Sequence, residues 1–120
     1  MKKSLLIVIF YAFIVKASED IQSPAVNNMT NYTINIYYIP GKSRYLVAVP
    51  GKTLKPEEQN FILARSNNEF GKFIMFYAEL IIKKDDAMHH ITSKLMNIEN
   101  DKIYNIISTQ DNGIEIVEAN

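Results

Sequence analysis

The sequence predicts an α+β fold: a small two-layer sandwich with an antiparallel sheet and two helices, in the order β-β-α-β-α-β-β. Three observations predict it. Stretches rich in Tyr, Ile, Thr and Val near both ends of the globular part are punctuated by Pro-Gly or Asn-Gly pairs, the pattern of β-hairpins. Two intervening segments open on helix-start signals. A long apolar block, 73–82, lies between those two segments.

Residues 32–39 alternate as a strand, with Tyr32, Ile34, Ile36 and Tyr38 on one face and Thr33, Asn35, Tyr37 and Ile39 on the other. Pro40-Gly41 supplies a turn, because Pro fixes a negative φ and Gly accepts the positive φ that follows. Residues 44–49 form the return strand, and Pro50-Gly51 ends it. Lys55-Pro56-Glu57-Glu58 then starts a helix to about Ser66: Pro suits the first helical position, and two carboxylates favour the positive end of the helix dipole.

Residues 73–84 read as a central strand buried on both sides, against a competing helical face of Phe70, Phe73, Ile74, Tyr77, Leu80 and Ile81. Asp85 or Asp86 caps a second helix over 87–97, with a stripe of Met88, Ile91, Leu95 and Ile98. Residues 103–109 and 114–117, joined through Asp111-Asn112-Gly113, make a terminal hairpin.

The start of the chain reads as a cleavable signal peptide over 1–17. Lys2 and Lys3 precede an apolar run from Leu5 to Val15, and Val15-Lys16-Ala17 offers a cleavage site. The run is too short to span a bilayer, which takes roughly 20 apolar residues. The expected organisation is therefore a signal, a flexible polar leader over 18–30, and a single domain over 31–120. Cleavage would leave 10 basic against 13 acidic residues. That balance argues against nucleic acid as a partner, and against a membrane surface once the signal is gone. The chain has no cysteine, which excludes disulfides and thiolate chemistry and fits a bacterial periplasm better than an animal secretory route. Asn28-Met29-Thr30 and Asn31-Tyr32-Thr33 are glycosylation sequons that matter only in a eukaryotic pathway.

Motifs for chemistry are weak. Gly41-Lys42-Ser43 and Gly51-Lys52-Thr53 lack the upstream glycine of a phosphate loop, where Ile36 and Leu46 stand. His89 and His90, even with Asp85 or Asp86, supply too few ligands for a zinc site. Asp85, His89 and Ser93 follow acid-base-nucleophile order, but on a helix Ser93 would have no oxyanion donors. No catalytic residue, metal ligand or cofactor is assigned. Glu79 interrupts the apolar block and reads as a rim residue facing water.

The tyrosines carry the functional expectation. A Tyr side chain offers rigid contact area with a polar tip and is enriched in binding surfaces. Tyr37, Tyr38 and Arg44 are the candidate binding residues of an exported, non-catalytic module that recognises another protein, as an inhibitor, an immunity-type factor or an accessory factor of an envelope or secretion assembly. Two alternatives stand beside it. One is a small-ligand carrier or minor hydrolase, with Glu79, His89 and Asp85 in a pocket between sheet and helices. The other is a secreted effector of a parasite or pathogen.

Overall fold

The computed structural model describes residues 23–41 and 47–119. The expected signal peptide, the start of the leader and Arg44 lie outside the described residues. The described residues form ten strands: β1 (Ala25–Asn28), β2 (Ile34–Pro40), β3 (Val49–Leu54), β4 (Phe61–Ile62), β5 (Ser66–Asn67), β6 (Gly71–Lys84), β7 (Ala87–Thr92), β8 (Met96–Asn97), β9 (Ile103–Ser108) and β10 (Ile114–Glu118). No helix occurs among the described residues. The fold is therefore an all-β, two-sheet structure, and the α+β expectation is corrected.

One sheet has the order β10-β9-β1-β4. Its β1 runs parallel to β9, with Val26 opposite Tyr104 and Asn28 opposite Ile106. The other sheet is built on β6. Strands β3 and β2 lie on one side of it, and β5, β8 and β7 also pair with it. Residues 75–76 and 79–80 of β6 pair both with β2 and with β8 or β7, so these strands occupy opposite edges. Side chains from both sheets make one core: Val26, Tyr104, Ile106 and Ile116 from the first, and Ile34, Ile36, Tyr38 and Phe76 from the second. Phe76 and Tyr104 meet edge to face across the two sheets, with ring centroids 5.1 Å apart.

Both expected helices are replaced by turns and strands. In 55–66, Glu58 N–H donates to the Lys55 carbonyl at 3.1 Å, and Glu57 has φ of 63°. Pro56 thus occupies the second position of a turn whose third residue has positive φ, as in type II, rather than the first turn of a helix. The chain then forms β4, which pairs with β1. In 85–97, Asp85 and Asp86 both have positive φ, 54° and 61°, while Lys84 pairs with Ala87. Two such residues make a type I′ hairpin turn, which short Asp side chains tolerate. The supposed helical stripe dissolves: Met88 and Leu95 are exposed, and only Ile91 and Ile98 pack against the core. Between β7 and β8, Ser93 keeps β6 satisfied: its N–H donates to the Ala78 carbonyl at 2.9 Å, and its hydroxyl accepts the Ala78 N–H at 2.9 Å.

The block 73–84 does form a strand within β6, but it is buried on one side only. Phe73, Phe76, Ala78 and Leu80 face the core, while Met75, Tyr77 and Glu79 are half-buried and Ile81 is exposed. The first hairpin is longer than expected. Its return strand is β3, and Pro50-Gly51 lies inside that strand instead of ending it. Pro50 is tolerated because β3 is an edge strand and its register against β2 shifts between Asn35 and Tyr37. Gly51 is needed by close approach: a Cβ there would sit 2.5 Å from the Tyr38 ring and 3.0 Å from the Ile36 carbonyl oxygen. The terminal hairpin forms as expected, β9 against β10, with Asn112 at φ 65°.

Within the stretch expected as a flexible leader, Pro24 is fully buried and Ala25–Asn28 forms the strand β1. Asn28 is the reason this segment docks. It is wholly buried, and its Nδ2 donates to the carbonyls of Tyr32 and Lys55 at 2.8 and 2.9 Å. Its Oδ1 accepts the Thr30 N–H at 3.0 Å and the Thr30 hydroxyl at 2.7 Å. The first sequon is therefore a structural knot, whose side-chain amide has no room for a glycan in the folded chain. Asn31 of the second sequon is exposed.

Asn28→Ala should strand these buried partners and lower stability by about 2–4 kcal/mol; exposed Asn31→Ala should stay within about 0.5 kcal/mol of the parent. Urea denaturation of the two variants measures the difference. Gly51→Ala should cost about 1–3 kcal/mol by overpacking against Tyr38, read in the same assay.

Candidate functional site

The alternation of β2 and β6 puts one set of side chains in the core and the other on the outer face of the larger sheet. On that outer face, pairing sets Tyr37 opposite Tyr77 and Asn35 opposite Glu79. The two tyrosine rings stack at 5.2 Å with planes 16° apart. Tyr37 donates its hydroxyl to Glu79 Oε1 at 3.1 Å. His90, from β7, places Nδ1 3.0 Å from Glu79 Oε2. From β3, Thr53 donates its hydroxyl to Asn35 Oδ1 at 2.8 Å. Four strands thus contribute to one aromatic and polar cluster.

Glu79 is its centre. Its side chain is only 13% exposed, against 56% for His90. Burial is the largest single influence on its carboxyl and pushes the pKa up. Hydrogen bonds from His90, Tyr37 and Asn35, with the charge of His90, together outweigh burial, so the pKa lies below the ordinary value. Burial, and then the hydrogen bond and negative charge of Glu79, push the Tyr37 hydroxyl up, so Tyr37 remains a neutral donor. Burial and Glu79 raise Tyr77 likewise. The cluster is held in place by its own hydrogen bonds, and it presents a histidine edge and a tyrosine pair to solvent.

The expected binding residues separate. Tyr37 lies in this outer cluster. Tyr38 points the other way, is 3% exposed, stacks on Phe73 at 4.6 Å, and accepts the Ala64 N–H at 2.9 Å through its hydroxyl. It is a core residue, not part of the surface occupied by Tyr37. Arg44 lies outside the described residues.

The polar groups of the alternative pocket separate too. Asp85 sits in the β6–β7 turn, and His89 alternates to the face opposite His90. Of the two histidines, His90 reaches Glu79 and His89 does not. The described residues include no helix to close a pocket against the sheet. Ser93 uses its hydroxyl on Ala78 and Lys94, and a strand spreads residues 85, 89 and 93 apart instead of stacking them on successive helical turns. Among the described residues, no group of three His, Cys, Asp or Glu side chains is placed to hold a metal ion.

Sequence reasoning missed Tyr77, Asn35 and His90 as members of this site. The i, i+2 spacing of Tyr77 and Glu79, and of Asn35 and Tyr37, marks shared faces once both segments are read as strands. His90 carries no such signal while 87–97 is read as a helix.

The depressed Glu79 pKa makes a signed prediction. Its stabilising contribution is complete above the ordinary carboxyl value of 4.5 and is lost as pH falls through the lower folded value. Glu79→Gln should therefore flatten the acid limb of the stability profile. Thermal unfolding of both proteins from neutral to acidic pH checks this, and an unchanged acid limb would remove Glu79 as its source. Comparison with known protein families, with curated proteins and with solved structures finds no match for this chain.

Proposed function

We propose that the chain is a small exported, non-catalytic module that binds another protein through the outer face of its larger sheet, centred on Tyr37. The observation that carries this reading is the preorganised Tyr37–Tyr77–Glu79–His90 cluster. Tyrosines fixed in one geometry lose little side-chain entropy on binding, and a neighbouring histidine and carboxylate add polar contacts that select a partner. Export, to the periplasm or medium, rests on the signal-like residues 1–17. Roles as an inhibitor, an immunity-type factor or an accessory factor of an envelope assembly all use such a face.

The test is cross-linked capture by the immobilised protein from its own medium or envelope extract, with mass spectrometry of what is retained. One dominant partner should survive high salt. Tyr37→Ala and Tyr77→Ala should each reduce its capture about ten-fold, the scale of an aromatic hot spot, while the domain stays folded. Undiminished capture in both variants, or a captured partner that is a small molecule, would sink this reading.

A further inference from the structure

The edges of the two sheets are not equally protected. An edge strand presents unpaired N–H and C=O groups, and proteins blunt it with proline, charge, a bulge or short length. Strand β3 carries Pro50, Lys52 and a register shift. Strand β10 carries Glu115 and Glu118. Strands β4, β5 and β8 are two residues long. Strand β7, Ala-Met-His-His-Ile-Thr, has none of these devices, and among the described residues it pairs only with β6. Its Met88 is 60% exposed.

The phase of the ladder fixes which groups are free. A two-residue turn makes Lys84 and Ala87 a hydrogen-bonded pair, and pairs then alternate. The bond from Ser93 N–H to the Ala78 carbonyl falls in the same phase. Met88, His90 and Thr92 therefore direct their backbone N–H and C=O groups away from β6.

We infer that β7 pairs antiparallel with β7 of a second copy of this chain, about a two-fold axis at His90, joining two larger sheets into one. A two-fold perpendicular to the sheet requires paired residues to share a face. The register centred on His90 sets Met88 opposite Thr92 of the partner, so all three free backbone positions are matched. It also brings Asp86, in the turn just before β7, level with the partner's Lys94, just beyond the end of its β7, twice. Both residues are exposed, and neither joins an ion pair among the described residues. Moving the axis by one residue toward the turn would set Thr92 against the partner's Asp86, in its turn, and leave the free backbone groups of Thr92 unmatched. This charge complementarity, symmetric about His90 and flanking β7 at both ends, selects a second copy over an unrelated strand. The joined sheet carries both Tyr37 clusters on one face.

The inference is independent of the binding role proposed above, and its test is separate. Sedimentation velocity of the full chain, from micromolar to near-millimolar concentration, should show a monomer–dimer equilibrium. Met88→Pro removes an N–H that β6 does not use, and Met88→Lys adds charge to the edge; each should weaken dimerisation at least about ten-fold. Lys94→Glu should weaken it at low salt and less at high salt. In this cysteine-free chain, H90C should form an interchain disulfide on mild oxidation, because hydrogen-bonded pairs bring Cα atoms to about 5.5 Å; E115C on β10 should not. A monomer at every concentration, a dimer indifferent to both Met88 substitutions, equal cross-linking by E115C, or pairing of β7 with a different protein's strand would each overturn it. Partner capture that depends on Tyr37 in a monomeric chain would leave the binding role standing and this inference refuted.

Discussion

The structure depends on pairing both edges of β6. A strand of 14 residues presents more backbone donors and acceptors than any other element here, and buried ones must be met. Strand β2 satisfies one side across residues 73–80. The other side is covered in relay by β5, β8 and β7, with Ser93 filling the break between β7 and β8 through both its backbone and its hydroxyl. That demand for partners turns 85–97 into strands, although its carboxylates and apolar spacing also suit a helix. One face of β6 then closes the core against Tyr104, and the other carries the polar cluster.

The two sheets are tied by polar as well as apolar contacts. Asn28 joins the end of β1 to the loops at Tyr32 and Lys55, and Asn28 N–H donates to the Glu58 carbonyl at 2.8 Å. On another side of the core, the Tyr104 hydroxyl donates to the Asn97 carbonyl at 2.7 Å and accepts the Glu99 N–H at 3.1 Å, fastening the crossing from β8 to β9. Such a tyrosine, bonded back to the backbone a few residues upstream, is a known device at the corners of β-sandwiches. Both are side chains whose polar atoms are fully used inside the fold, so each contributes by avoiding a buried unmet group more than by its own bond strength.

The candidate site is a by-product of the same pairing. Tyr37 meets Tyr77, and Asn35 meets Glu79, only because β2 and β6 are in one particular register; a slip of β2 by one residue would turn Tyr37 and Asn35 to the core face and leave Tyr77 and Glu79 without them. Glu79 interrupts an apolar block because its position faces outward, where a carboxylate with three hydrogen-bonding neighbours is stable. The strand that supplies His90 to this face is also, among the described residues, the edge with the fewest protecting devices, so the proposed recognition by the face and the inferred pairing along the edge draw on one element.

By itself the sequence determined the features that local chemistry specifies without competition. Alternation marks β2 and puts Tyr37 and Tyr38 on opposite faces, aromatic and branched residues mark β6, and Asn112-Gly113 marks the last hairpin. Elsewhere the local signals were degenerate. Pro before an acidic residue begins a helix or a type II turn, and paired aspartates cap a helix or occupy the positive-φ positions of a hairpin. Tertiary structure decided both cases, because β1 needed β4 and the open side of β6 needed β7 and β8. It also decided the membership of the site. Tyr77 and His90 lie far from Tyr37 along the chain and on other strands, and only the hydrogen-bond register between strands makes them its neighbours.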